Sequence, residues 1–205
     1  SAPPAENRHA GLTQFIVDLA APGVKIRPII NLAGEHDFNE IFFDDCFVPD
    51  DMVMGKPGSG WSTVTAELAF ERSGPDRFLS DLTLLREAID RAGARPDART
   101  AQEIGRLVAE LHGLREMSTS VAMLLEQGAD PMLEATIVKD LGTAFEREIP
   151  EVVRRLGPVD ADPGEGAAPF ARLYAKTLLH SPSFTLRGGT REILRGMIAR
   201  GLGLR

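Results

Sequence analysis

Near Trp61 the hydrophobic period of this chain changes from about two residues to about 3.6, which confines β-structure to the first part and helices to the rest. Residues 12–19 alternate and carry β-branched or aromatic side chains, so they read as a strand. Ala21-Pro22-Gly23 is a turn signal, and residues 24–30 read as a second strand that Pro28 places at an edge or ends. Residues 38–43 make a third strand, followed by a loop rich in Asp, Pro and Gly.

Beyond Trp61, Val64, Leu68, Glu71, Pro75, Phe78, Leu82, Leu85 and Ile89 step by three and four, which predicts one long helix ending at Gly93 and Pro96. Ile104, Leu107, Leu111, Leu114, Val121 and Leu125 predict a second helix, stopped by Gly128. Asp130-Pro131 supplies an N-cap and first-turn pair for a third, with Leu133, Ile137, Leu141, Phe145, Val152 and Leu156 on its stripe. A loop over 157–169, a helix near 170–179 and a last helix over about 190–202 complete the pattern, with no internal repeat. The expectation is an α+β chain: residues 1–57 as part of a β-domain, residues 58–205 as an antiparallel helical bundle.

A length of 205 residues accommodates one large domain or two small ones. The net charge of -7, with no clustered basic stretch, excludes a general nucleic-acid surface. Cys46 is the single cysteine and forms no internal disulfide, which favours a reducing compartment. No apolar run approaches the roughly 18 residues of a membrane span, so a cytoplasmic protein is expected. The Pro- and Ala-rich residues 1–8 read either as a flexible tail or as a chain that begins inside a domain.

Glu71 lies on the apolar stripe between Leu68 and Pro75, where a carboxylate must be paired, exposed at a cleft or poised for chemistry. Pro75 lacks the N–H that would bond the carbonyl of residue 71, so the helix is locally open there. Two plainer alternatives stand beside a functional one. The helix could start only at Pro75, capped by Ser73, leaving Glu71 in a solvated loop; or Glu71 could pair with one of the arginines. Arg187-Gly188-Gly189-Thr190-Arg191-Glu192 reads as a tight loop into a helix, whose glycines let backbone approach a ligand. His9, His36, His112 and His180 have no metal-ligand spacing, and Asp44-Asp45 with Asp50-Asp51 reads as turn chemistry.

The stretch Phe38-Asn39-Glu40-Ile41-Phe42-Phe43-Asp44-Asp45, then Val48-Pro49, then Gly58-Ser59-Gly60-Trp61, resembles the strand-to-helix junction of acyl-CoA dehydrogenases. These flavoenzymes desaturate fatty-acyl and steroid-acyl thioesters. The resemblance spans nearly the whole chain and implies the C-terminal part of a middle β-barrel domain, followed by the family's C-terminal helical domain. The family's commoner position for the catalytic base, just before the Gly-Thr that opens the last helix, is Gly188 here, which cannot abstract a proton. Glu71-Arg72 matches a variant arrangement known in the family, which implies Glu71 as the base and Arg72 beside the substrate. Gly188-Gly189-Thr190-Arg191-Glu192-Ile193-Leu194-Arg195 is similar to the family's Gly-Thr-Ser-Glu-Ile-Gln-Arg stretch, with Arg191 and Leu194 as departures. By that match Gly188, Gly189, Thr190 and Glu192 line the flavin of FAD.

The resemblance further implies an acyl-CoA substrate, an electron-transfer flavoprotein as acceptor, and a homo- or hetero-oligomer. The base would remove the α-proton, with burial and oxyanion donors making that step possible, and the β-hydrogen would leave as hydride to FAD. Two family motifs are eroded, to Ala92-Gly93-Ala94-Arg95-Pro96 and Arg154-Arg155-Leu156-Gly157-Pro158. Both losses resemble the divergent actinobacterial branch that acts on steroid side-chain thioesters. They also raise the alternative of a non-catalytic partner subunit in a heteromeric enzyme. The family's N-terminal helical domain has no counterpart in these residues, so the portion alone is expected to be inactive.

Overall fold

A computed structural model describes residues 11–204, and the readings of residues 1–8 and of His9 lie outside them. The chain divides into two compact units between Leu68 and Ala69. In the first, β1 (Gln14–Phe15) pairs antiparallel with β4 (Val53–Met54), and β2 (Val24–Ile30) pairs antiparallel with β3 (His36–Phe43). The register sets Val24 opposite Phe43, Ile26 opposite Ile41 and Pro28 opposite Asn39. The expected strand over 12–19 shrinks to two residues, with Leu12 bridged to Ser59 instead. Gly23 sits at φ +87, and a Cβ there would stand 2.3 Å from the carbonyl oxygen of Asp44, so only glycine allows that turn. The described residues form two two-stranded ladders and close no barrel. Ile26, Ile29, Phe38, Ile41, Phe42 and Phe43 remain exposed on the β2–β3 ribbon.

The helices are α1 (Gly60–Ser73), α2 (Leu82–Ala92), α3 (Ala98–Glu126), α4 (Met132–Leu156), α5 (Pro169–Phe184) and α6 (Arg191–Gly201). The single helix expected from Val64 to Ile89 is in fact two. α1 stops at Ser73, a 3₁₀ turn follows at Pro75–Arg77, and α2 begins at Leu82. Gly74 and Pro75 end α1 because proline cannot donate into the preceding turn. The buried residues at the end of α1 are Ala69, Arg72 and Ser73, not the stripe through Leu68, Glu71 and Pro75.

α4 is the centre of the second unit and packs against α2, α3, α5, α6 and the 3₁₀ turn. Its buried set includes Ala135, Val138, Phe145, Ile149, Val152 and Val153, interleaved with Lys139, Asp140, Gly142 and Glu146. Leu141, on the expected stripe, is exposed instead. α3 buries Leu107, Leu114 and Val121 at heptad spacing, a narrow seam against α4. Asp97 caps α3 by accepting the Thr100 N–H at 3.0 Å. α4 instead follows Pro131 with no side-chain cap, so Asp130 does not act as one. Full burial of Leu84, Leu85, Leu107 and Ile149 contributes about 1.5–3 kcal/mol each.

Gly142 is where the 3₁₀ turn meets α4. A Cβ there would lie 2.6 Å from the Arg77 carbonyl oxygen and 3.2 Å from Phe78 Cβ. Gly→Ala inside a helix ordinarily gains roughly 0.5–1 kcal/mol. Gly142→Ala is expected instead to cost about 1–3 kcal/mol by overpacking, read from the denaturant midpoint of the purified protein.

Candidate active site

The last turn of α1, the Pro75–Arg77 turn, one face of α4 and the loop before α6 bring the candidate residues together. Glu71 lies in the last turn of α1 with its side chain 41% exposed, so it is neither in a solvated loop nor buried. It is paired: Arg77 Nη2 donates to Glu71 Oε1 at 2.7 Å, and Arg77 Nε donates to the Glu71 carbonyl oxygen at 2.9 Å. That carbonyl is the one Pro75 leaves without its helical donor. The Gly188–Gly189 loop abuts the same carboxylate, since a Cβ on Gly188 would stand 3.0 Å from Glu71 Oε1 and 3.1 Å from Lys139 Cε. Gly188 and Gly189 both have positive φ.

Arg72 is the buried member of the pair, at 6% exposure. No carboxylate salt-bridges it among the described residues. Nη1 contacts Met132 Sδ at 3.3 Å, Thr136 Oγ1 at 3.4 Å and Met197 Sδ at 3.7 Å, and Nε has no partner. Burial holds its guanidinium below the ordinary arginine range, with the neighbouring Glu71 charge acting in the opposite direction. Arg72 Nη2 also lies 3.9 Å from where a Cβ on Gly189 would project.

Sequence reading missed the α4 residues that organise the loop. Lys139 is fully buried and donates from Nζ to the Gly189 carbonyl oxygen at 2.7 Å. Burial, then the charges of Arg77, Arg187 and Arg72, push its ammonium down to about 8. Glu146, also fully buried, accepts the Ser80 N–H at 2.8 Å and Arg187 Nη2 at 2.6 Å. Arg187 donates as well to the Asp76 carbonyl oxygen and to Ser80 Oγ. Asp140 receives Arg191 at 2.8 Å and Arg195 at 3.4 Å, tying α6 to α4. The available signal was the set of charged residues at 139, 140 and 146, spaced with Ala135, Val138, Gly142 and Ile149 along a helix.

Thr190 is the N-cap residue of α6 but forms no cap bond with its side chain. Glu192 is exposed in the first turn. Its own backbone N–H, then the Thr190 hydroxyl, hold its carboxyl below the usual range. The two eroded segments come together elsewhere in the unit. Arg95 and Pro96 face Leu156, Gly157 and Pro158 across a cavity of about 430 Å³. Arg91 lies in that cavity with its guanidinium carbon 4.2 Å from the centre of the Phe170 ring.

The fold of nearly the whole chain is found in solved acyl-CoA dehydrogenase structures. The Tcur3481–Tcur3483 steroid ACAD superposes with a TM-score of 0.80 at 22% identity, covering 98% of this chain and 54% of that one. The ChsE4–ChsE5 complex from Mycobacterium tuberculosis gives 0.76 at 25% identity, over 97% of this chain and 53% of that one. In sequence, acyl-CoA dehydrogenase IpdE1 of Mycolicibacterium smegmatis is 34% identical over 206 residues, which is 96% of this chain and 50% of the relative. Acyl-CoA dehydrogenase FadE34 of Mycobacterium tuberculosis is 30% identical over 200 residues, 97% of this chain and 27% of the relative. No family model matches the chain. The chain is a relative of the acyl-CoA dehydrogenases and corresponds to the C-terminal part of that family, similar to mycobacterial members.

Asp81, next to this cluster, gives a prediction. It is 4% exposed with Oδ2 unpartnered, and burial, then the Glu146 charge, push its carboxyl up to about 8 against the opposing pull of Arg187. The folded state therefore binds a proton that the unfolded state releases near the ordinary carboxyl value of 3.8. Its contribution to stability is full below that value and is lost as pH rises through about 8. Asp81→Asn is expected to remove this slope. The variant should gain stability relative to the parent between pH 5 and pH 9, read as the difference between two denaturation series.

Proposed function

We propose that the chain is the C-terminal portion of an FAD-dependent acyl-CoA dehydrogenase that introduces an α,β double bond into an acyl-CoA thioester. On this reading residues 1–57 belong to the middle β-domain and residues 58–205 to the C-terminal helical domain. The exposed apolar β2–β3 ribbon supports the first assignment, since a lone hairpin is marginal and such side chains need a larger sheet to cover them. The observation that carries the reading is the approach of the Glu71 carboxylate to within 3.0 Å of the Cβ position of Gly188. A carboxylate from α1 thus occupies the neighbourhood of the loop position where most members of the family carry theirs.

Glu71 takes the α-proton, and Arg72 stands beside the substrate. Gly188, Gly189, Thr190 and Glu192 flank the cofactor. The cavity bounded by Arg91, Arg95 and Gly157 lies elsewhere in the unit and, with two guanidinium groups, would hold the diphosphate of a neighbouring subunit's FAD. FAD, when bound, supplies the acceptor for the hydride that leaves the β-carbon. The remaining partners of the proposal are an acyl-CoA substrate and an electron-transfer flavoprotein in the cytoplasm. No described helix is long and apolar enough to cross a membrane.

Two structural neighbours, Tcur3481–Tcur3483 and ChsE4–ChsE5, are named as pairs, which supports an oligomer of unlike subunits. The erosion at Arg154-Arg155-Leu156-Gly157-Pro158 favours a second reading, in which this subunit completes the site of a partner without reacting itself.

The test is anaerobic reduction of the flavin in the full-length assembly by octanoyl-CoA, palmitoyl-CoA and a steroid side-chain CoA thioester. Glu71→Gln is expected to lower the rate with the responsive thioester by roughly 10²–10⁴-fold. An unchanged rate would remove Glu71 as the base and leave the partner-subunit reading.

A further inference from the structure

The guanidinium of Arg77 holds two different parts of one residue. Nε takes the Glu71 carbonyl oxygen at 2.9 Å and Nη2 takes Glu71 Oε1 at 2.7 Å. The main-chain half of this grip exists because Pro75 leaves the carbonyl without its helical donor. The side-chain half fixes a carboxylate that is otherwise 41% exposed and free to choose rotamers. Arg77 itself is rigid, with a side chain only 8% exposed. Its backbone is locked between the Gly74 carbonyl, which accepts its N–H at 3.0 Å, and Gly142, whose missing side chain admits its carbonyl against α4. The rival carboxylate, Asp76 Oδ2, is 3.5 Å from Nε and 64% exposed, too distant and too solvated to take the fork.

We propose that Arg77 is the positioning residue of Glu71, gripping its backbone and Oε1, the oxygen that faces the Cβ position of Gly188, so that Oε2 is left free for proton abstraction. The inference rests on Glu71 being the base. The gain is geometric, because the bond fixes where the free oxygen stands. A base misplaced by about an ångström can lose roughly 10²-fold in rate. Lysine keeps the charge but offers a compact ammonium, which lacks the two parallel N–H groups along one edge of a rigid plane that hold the carbonyl and the carboxylate together.

The experiment uses the full-length assembly and the thioester of the above panel that reduces the flavin. Arg77→Lys is expected to lower kcat by about 10–10²-fold with KM changed less than about threefold, because the loss is of alignment and not of ground-state binding. Washout of deuterium from the α-carbon, which reports the base directly, should fall by the same factor. In the Glu71→Gln background Arg77→Lys should cause no further loss, since a residue that acts only through Glu71 has nothing left to position. Where Arg77→Lys does not accumulate as folded protein, Arg77→Gln with added guanidinium replaces it. Guanidinium, and not ammonium, should then restore the exchange.

A kcat and exchange rate within about twofold of the parent would overturn the inference, as would multiplicative losses in the double variant or a lack of guanidinium rescue. Full turnover by Glu71→Gln overturns the base assignment itself. An inactive Glu71→Gln beside an unimpaired Arg77→Lys removes only the role of Arg77.

Discussion

Glu146 is fully buried on α4, so its charge is stabilised only by the groups that reach it. Those groups are the Ser80 N–H and the Arg187 guanidinium, which also bonds the Asp76 carbonyl. One carboxylate therefore joins the turn after α1 to the loop before α6. Seven residues earlier, and so on the same face of α4, Lys139 bonds the Gly189 carbonyl. The loop is held at both ends, by an anion through Arg187 and by a cation through Gly189. The buried charges of α4 are the reason two segments far apart in sequence meet at fixed distances. Breaking a pair of this kind costs about 3–5 kcal/mol, because it strands the other charge.

The cluster carries more buried positive charge than it neutralises. Arg77 is matched by Glu71 and Arg187 by Glu146, while Arg72 and Lys139 have no salt bridge among the described residues. The lowered pKa of Lys139 comes first from its burial and then from the charges of Arg77, Arg187 and Arg72. Arg72 departs furthest from ordinary packing, because its Nε is orphaned and two methionine sulfurs replace carboxylate oxygens around it. Soft thioethers are weak acceptors, so the guanidinium is desolvated without full compensation. Such a group destabilises the fold by itself, and it is the kind of group that an incoming oxygen would satisfy.

The fold was legible where one physical signal dominated. Residue type and the flanking turn signals placed β2 and β3, although both stay almost wholly exposed, and the 3.6 period placed α3 and α4, which pack against each other. It failed where two signals competed. The stripe from Val64 to Ile89 kept its spacing across Pro75, and spacing alone reported one helix where Gly74 and Pro75 make a break. The stripe read on α4 held at Phe145 and Val152 and failed at Leu141, for a different reason. A central helix is buried nearly all round, so its periodicity no longer marks an inner face, and the charged residues at 139, 140 and 146 sit among the core. Of the site, the sequence singled out Glu71, Arg72 and the glycine loop, and correctly tied the open carbonyl of residue 71 to Pro75. Arg77 remained hidden because its role depends on where the chain goes after the break.

Gly188 and Glu71 constrain one another. With φ +65 and a Cβ position 3.0 Å from Oε1, residue 188 accommodates a side chain only if the carboxylate moves away. Two carboxylates there would also repel, so the arrangement permits one at a time. Setting the carboxylate on α1 changes which element must be stiff. A base on the loop would need the loop held; a base at the frayed end of a helix needs that end held. This chain does both. The loop is fastened by Lys139 and Arg187, and the helix end by a proline that frees a carbonyl and an arginine that takes it.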